Sequence, residues 1–186
     1  MNVFVLNTGR CGSTTFIRAC SHITNYSAAH ESRIHKIGPA RLAYPENHIE
    51  ADNRLSWLLG RLDEAFGDDA LYLHLHRDPR AVAASFARRE AYGIMKAYRE
   101  GILLGGEPAQ TPLELARDYI DTVEGNIRLF LRGRPHTMEF RLEEAKEAFV
   151  DFWNRIGAEG DLKRALAEWE IRHNASATPA SAMPSS

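Results

Sequence analysis

Cysteine is scarce in this sequence: Cys11 and Cys20 are the only two among 186 residues, which excludes a disulfide framework and leaves no paired metal-ligand spacing. That scarcity suits a reducing compartment, and a cytoplasmic protein is expected. No apolar run approaches the length of a membrane-spanning helix. Nor is a secretory signal expected, because Asn2 to Leu6 already reads as a buried strand. An excess of either charge is also missing: 23 Lys and Arg face 25 Asp and Glu, for a net charge of −2. The broad basic footprint of a nucleic-acid binder is thereby excluded, and any anion must be recognised by a local cluster. Lysine occurs only at positions 36, 96, 146 and 163, so the positive charge is nearly all arginine, which suits bidentate capture of phosphate or sulfate oxygens but also fits a GC-rich genome.

What is present reads as one α/β domain over residues 1–174. Val3 to Leu6 is a continuous apolar run; Asn7-Thr8-Gly9-Arg10-Cys11-Gly12 follows, and helical spacing then runs from Ser13 to Cys20, giving strand, glycine loop and helix. Tyr26 to His30 suggests a short second strand, with an irregular segment behind it. One helix is expected over Asp52 to Phe66, stopped by Gly67. Ala70 to His76 is the best strand after the first, and Asp78-Pro79 opens a helix directly behind it. Thr111-Pro112-Leu113-Glu114 is a capping box for a helix with the stripe Ala116, Tyr119, Ile120, Val123, Ile127 and Phe130. A strand over Thr137 to Phe140 and helices over Glu143 to Ile156 and Asp161 to Ile171 complete the pattern. Residues 175–186 are Ala, Ser, Thr and Pro with one Met, too little apolar surface to offset ordering entropy, so a disordered tail is expected. Strands alternating with helices predict a three-layer parallel sheet covered on both faces. Ligands of such sheets bind beyond the carboxyl ends of the strands, where the glycine loop and Arg77 both fall.

The loop from Thr8 to Thr15 makes an anion nest, since glycines let backbone N–H groups converge where a helix begins. Arg10, Ser13, Thr14 and Thr15 add side-chain donors. A nucleoside-triphosphate loop would place lysine after the second glycine, yet Ser13 follows Gly12, which disfavours an ordinary ATPase or kinase. A cysteine phosphatase needs five residues between cysteine and arginine; six separate Cys11 from Arg18, so Cys11 reads as a loop residue rather than a nucleophile.

The stretch Leu6 to Thr15 resembles the 5′-phosphosulfate loop of the sulfotransferase superfamily, a relative of the P-loop fold. The resemblance implies the donor 3′-phosphoadenosine 5′-phosphosulfate (PAPS), leaving as adenosine 3′,5′-bisphosphate (PAP). It implies that Arg10 contacts the 5′-phosphate and the sulfuryl oxygens, with Cys11, Gly12, Ser13, Thr14 and Thr15 completing the cradle. A second stretch, His76 to Ser85, resembles the family's 3′-phosphate motif, in which an arginine at a strand end and a serine eight positions later grip one phosphate; here the pair is Arg77 and Ser85. Arg89, four beyond Ser85 and on the same helical face, matches an additional arginine of the tyrosylprotein branch. On its own, a basic helix face would explain these arginines; two motifs in the right order at strand ends carry the resemblance.

Sulfuryl transfer needs a base at the acceptor hydroxyl. In the tyrosylprotein and heparan branches a glutamate after the second strand serves, and Glu31 matches it. His30 competes, since imidazole titrates near neutral pH, but strand alternation is expected to send His30 and Glu31 to different sides. His74 and His76 read as hydrogen-bonded strand residues, and no metal is expected. His173-Asn174 resembles a polar stretch that returns toward the nucleotide in some relatives. Acceptor specificity is expected from residues 32–51 and 91–110, with Tyr92, Lys96 and Tyr98 lining a cleft. The resulting expectation is a PAPS-dependent enzyme acting on a hydroxyl of a carbohydrate, a phenol or tyrosine, or another small molecule. A divergent nucleotide kinase and a non-catalytic PAP-binding protein remain as alternatives.

Overall fold

The computed structural model describes residues 1–171; the expected tail and His173-Asn174 lie outside the described residues. Five strands, β1 (Asn2–Leu6), β2 (Ser27–His30), β3 (His48–Ala51), β4 (Ala70–His76) and β5 (Thr137–Arg141), form one sheet in the order β2-β3-β1-β4-β5. Every pairing is parallel. β1 is apolar at four of five positions and wholly buried, as a central parallel strand covered on both faces must be.

Helices cover both faces. On one side lie α1 (Ser13–Cys20), α6 (Ala145–Arg155) and α7 (Leu162–Ala167), with Phe16 of α1 edge-on to Phe140 of β5 at 5.2 Å. On the other lie α2 (Leu59–Phe66), α3 (Pro79–Ala87) and the long α5 (Pro112–Leu131), where Phe130 meets Tyr72 at 4.9 Å and Tyr119 meets Phe86 at 5.2 Å. Phe16, Phe140, Tyr72 and Tyr119 are almost completely buried. Each large apolar side chain so buried contributes on the order of 1.5–3 kcal/mol. The Thr111–Glu114 capping box forms in full. Asp78 caps α3 by accepting from the Arg80 and Ala81 N–H groups.

Two expectations are corrected. β3 stands inside the segment read as irregular: its residues His48-Ile49-Glu50-Ala51 are all buried, but two of the four are polar, so no apolar run marks them. The single helix expected from Asp52 breaks into a 3-10 turn, Asn53–Trp57, and α2. Asp52 caps the turn through the Arg54 N–H, and Leu58 leaves helical geometry at φ −120°, so the chain changes direction between the two. The connection after α3 holds a short helix α4 (Gly93–Ala97) and a π-turn, Tyr98–Ile102.

Candidate functional site

The loop after β1 has a fixed floor. The Thr8 carbonyl accepts from Tyr119 Oη at 2.7 Å and Asn53 Nδ2 at 3.4 Å. The Asn7 carbonyl accepts from Ser56 Oγ at 3.2 Å, while Asn7 Oδ1 takes the Gly9 N–H at 2.8 Å. Gly9, Arg10 and Gly12 have φ of +90°, +61° and +89°, which folds the backbone into a nest. The backbone geometry favours glycine at position 12, and a Cβ there would lie 2.6 Å from Leu142 Cδ1 and push that side chain aside. Gly12 also precedes α1 without a side-chain cap, leaving the positive end of the helix dipole at the loop.

Cationic side chains gather around this nest. Arg10 Nε donates to Ser85 Oγ at 2.9 Å, and Ser85 is buried on α3. Burial, then the charges of Arg89, Arg77 and Arg88, lower the pKa of Arg10. Three guanidinium groups thus act on that of Arg10, an arrangement that a polyanion relieves. Arg10, Ser13, Thr14 and Arg89 line a cleft of about 250 Å³, shared with His30, Glu31, Asn53, Arg54 and Phe86 and with Tyr92, Gly93 and Ile94.

Some expected partnerships differ. Ser85 is joined to Arg10, whereas Arg77 lines a neighbouring cleft of about 240 Å³ that includes Thr8, Cys11 and Glu124. Arg89 is not on the helical face of Ser85, because α3 ends at Ala87; its N–H donates to Phe86 O at 2.7 Å in the following turn, and its side chain still lines the Arg10 cleft. Thr15 is buried in the first turn of α1.

His30 and Glu31 both face the Arg10 cleft. Alternation fails because Glu31 takes a left-handed backbone, φ +52°, just past the end of β2. Its own N–H continues the ladder to Ala51 O at 3.0 Å, and the next residue is clamped: Glu50, fully buried, accepts from Ser32 N at 2.7 Å and Ser32 Oγ at 2.6 Å, with His48 Nε2 at 3.0 Å. The Glu31 carboxylate meets Arg54 Nη1 at 3.0 Å. Asp52, which caps the Arg54 N–H, also pairs with Arg41 in the interior; burial raises its pKa more than these two partners lower it. On the loop side, His30 Nε2 is 2.9 Å from Ser13 Oγ.

Other candidates resolve on burial. Cys11 is 1% exposed, and burial outweighs its Thr8 contact to push the thiol up to about 11, so it is no nucleophile at neutral pH. His74 and His76 stack at 5.0 Å and share Glu139 Oε2, at 3.1 and 3.2 Å. Burial pulls the His74 pKa down, but Glu124 and Glu139 outweigh it and hold it at about 9. His74 Nε2 lies 2.9 Å from Glu124 Oε2. Among the described residues, no group of three or more His, Cys, Asp and Glu is placed to hold a metal ion. Tyr92 lines the cleft as expected; Tyr98 does not, being buried with its hydroxyl donating to Asp118 Oδ2 at 2.6 Å, and Lys96 points to Glu100 at 3.9 Å.

Ile94 comes from the expected 91–110 segment, whereas Asn53, Arg54 and Phe86 belong to the cleft but escaped the sequence reading. Asn53 and Arg54 were hidden by reading a helix where a strand end and a 3-10 turn stand; the polar pair Asp52-Asn53 behind a short strand is the signal that marks them.

This parallel sheet flanked by helices is the fold of solved sulfotransferases. Two solved structures show it in particular. The sulfotransferase domain from the curacin biosynthetic pathway superposes with a TM-score of 0.59 at 16% identity, over 88% of this chain and 75% of that one. Mouse sulfotransferase SULT7A1, solved in complex with PAP, superposes with a TM-score of 0.55 at 12% identity, over 91% of this chain and 63% of its own. No protein-family model and no curated protein matches the sequence.

Proposed function

We propose that this protein transfers a sulfuryl group from PAPS to an acceptor hydroxyl. The observation that carries the reading is the single cleft in which Arg10, Ser13, Thr14 and Arg89 stand opposite Glu31. The donor set fits the group: guanidiniums, hydroxyls and a helix N-terminus answer a phosphosulfate, and Arg77 beyond the loop suits the second phosphate.

In this reading Glu31 takes the proton of the acceptor hydroxyl while the acceptor oxygen bonds to sulfur. The bond from sulfur to the 5′-phosphate oxygen breaks, and PAP departs with that electron pair. Arg10 and the loop N–H groups stabilise the charge that grows on the leaving phosphate. Arg54 orients the Glu31 carboxylate. Phe86, Tyr92 and Ile94 give the acceptor an apolar wall, which suits the ring of a sugar or phenol.

Thermal unfolding with nucleotides is the first test. PAP is expected to raise the midpoint while ADP with magnesium does not; equal stabilisation by ADP would sink the reading in favour of a nucleotide kinase. Labelled PAPS with a hydroxyl library then separates an enzyme from a PAP-binding protein, which yields no labelled product.

A further inference from the structure

His30 and Glu31 are consecutive and face one cleft, but their contacts point in opposite directions. Glu31 is tied to Arg54, on the turn after β3; His30 is tied to Ser13, in the loop. A serine hydroxyl has one hydrogen to give. Were His30 Nε2 to accept it, Ser13 would offer only lone pairs to an anion in the nest. When Nε2–H donates instead, the Ser13 hydrogen is left for the ligand. The charges facing the cleft favour the second arrangement, because Arg10 and Arg89 concentrate positive potential that draws an anion to Ser13.

We propose that His30 is a positioning residue for the sulfuryl donor: its Nε2–H donates to Ser13 Oγ and turns the Ser13 hydroxyl hydrogen onto the 5′-phosphosulfate. This rests on the reading of the cleft as a phosphosulfate site. It divides labour within one dipeptide, with Glu31 serving the acceptor and His30 serving the donor. An Nε2 that holds a hydrogen on Ser13 has no lone pair with which to deprotonate an acceptor, so the nitrogen that faces the loop is not the base.

Glutamine separates the two roles, because its amide N–H extends about as far as Nε2–H yet takes no proton at neutral pH. The experiment measures PAP affinity by calorimetry, and turnover with PAPS and an acceptor from the library, for His30→Gln, His30→Leu, Ser13→Ala and the pair His30→Leu with Ser13→Ala. His30→Leu and Ser13→Ala are each expected to weaken PAP about tenfold, the size of one hydrogen bond to a charged group. The pair should lose no more than either alone, and His30→Gln should stay within about threefold of the unmodified protein in both measurements. Unfolding midpoints verify that the variants are folded. The proposal is overturned if His30→Gln binds PAP normally but loses turnover, if it binds as weakly as His30→Leu, or if the two losses add. Should the unmodified protein fail to bind PAP, the sulfotransferase reading falls as well; if PAP binds and only the glutamine pattern fails, that reading stands.

Discussion

Arg54 Nη1 lies 3.0 Å from Glu31 Oε1, and the two come from different strand ends, Glu31 after β2 and Arg54 after β3. Asp52 sets Arg54 by capping its N–H, and Glu50 sets the turn at Glu31 by clamping Ser32. A carboxylate held this way is positioned before any substrate arrives, which is what a general base needs.

Glu31→Gln is therefore expected to reduce turnover by about 10²- to 10⁴-fold while PAP affinity is unchanged. Arg54→Met should reduce turnover by a smaller factor. Steady-state rates beside calorimetric PAP affinity read both outcomes, and substantial turnover in Glu31→Gln would remove the residue from the mechanism.

Loss of Arg10 should be felt in binding. Arg10→Ala is expected to weaken PAP by about 10- to 100-fold, since it deletes a charge-assisted contact and strands Ser85. Arg77→Ala should weaken PAP but leave adenosine 5′-monophosphate nearly unaffected. Equal losses for the two nucleotides would show that Arg77 does not hold the 3′-phosphate.

Gly12→Ala should destabilise the fold by about 1–2 kcal/mol from its backbone geometry alone, with a further cost as Leu142 moves aside. Urea unfolding measures it; an unchanged midpoint would mean that the loop relaxes freely.

The Cys11 thiol should resist iodoacetamide at pH 7.5, because it is buried and its pKa is held near 11. Mass spectrometry of the folded protein should find Cys11 unmodified, and labelling within minutes would contradict the burial seen here.

Stability should also carry the signature of the His74 and Glu139 pair. The His74 pKa stands at about 9, above its ordinary 6.5, so its contribution is complete below pH 6.5 and is lost as pH rises through 9. Glu139 stands at about 2, lowered first by His74 and then by His76 from an ordinary 4.5, so its contribution is complete above pH 4.5 and is lost as pH falls through 2. Both act fully between pH 4.5 and 6.5. His74→Gln should flatten the loss of stability between pH 6.5 and 9 measured by urea unfolding.

Where local chemistry decides structure, the sequence was readable. The Asp78-Pro79 start, the Thr111 capping box and the strand-loop-helix from Val3 to Cys20 stand as expected, since each depends on neighbours within a few residues. β3 was not legible, because its polar residues are buried by hydrogen bonds to distant partners: His48 bonds Ser27 and Glu50 clamps Ser32. The shared orientation of His30 and Glu31 was hidden for the same reason. One positive φ, stabilised by a carboxylate on the next strand, overrides the alternation that a strand pattern implies. Tyr98 looked like a cleft residue by proximity in sequence, but its hydroxyl is claimed by Asp118 on α5.

The position of β2 at the outer edge of the sheet carries a further consequence. The glycine loop is rooted in β1 at the centre, whereas His30 ends the outermost strand, whose only sheet partner is β3 and which packs on α1, and Glu31 follows it. The cleft is thus assembled from the centre and the margin of one sheet, so its width is set by how β2 and β3 lie beside β1.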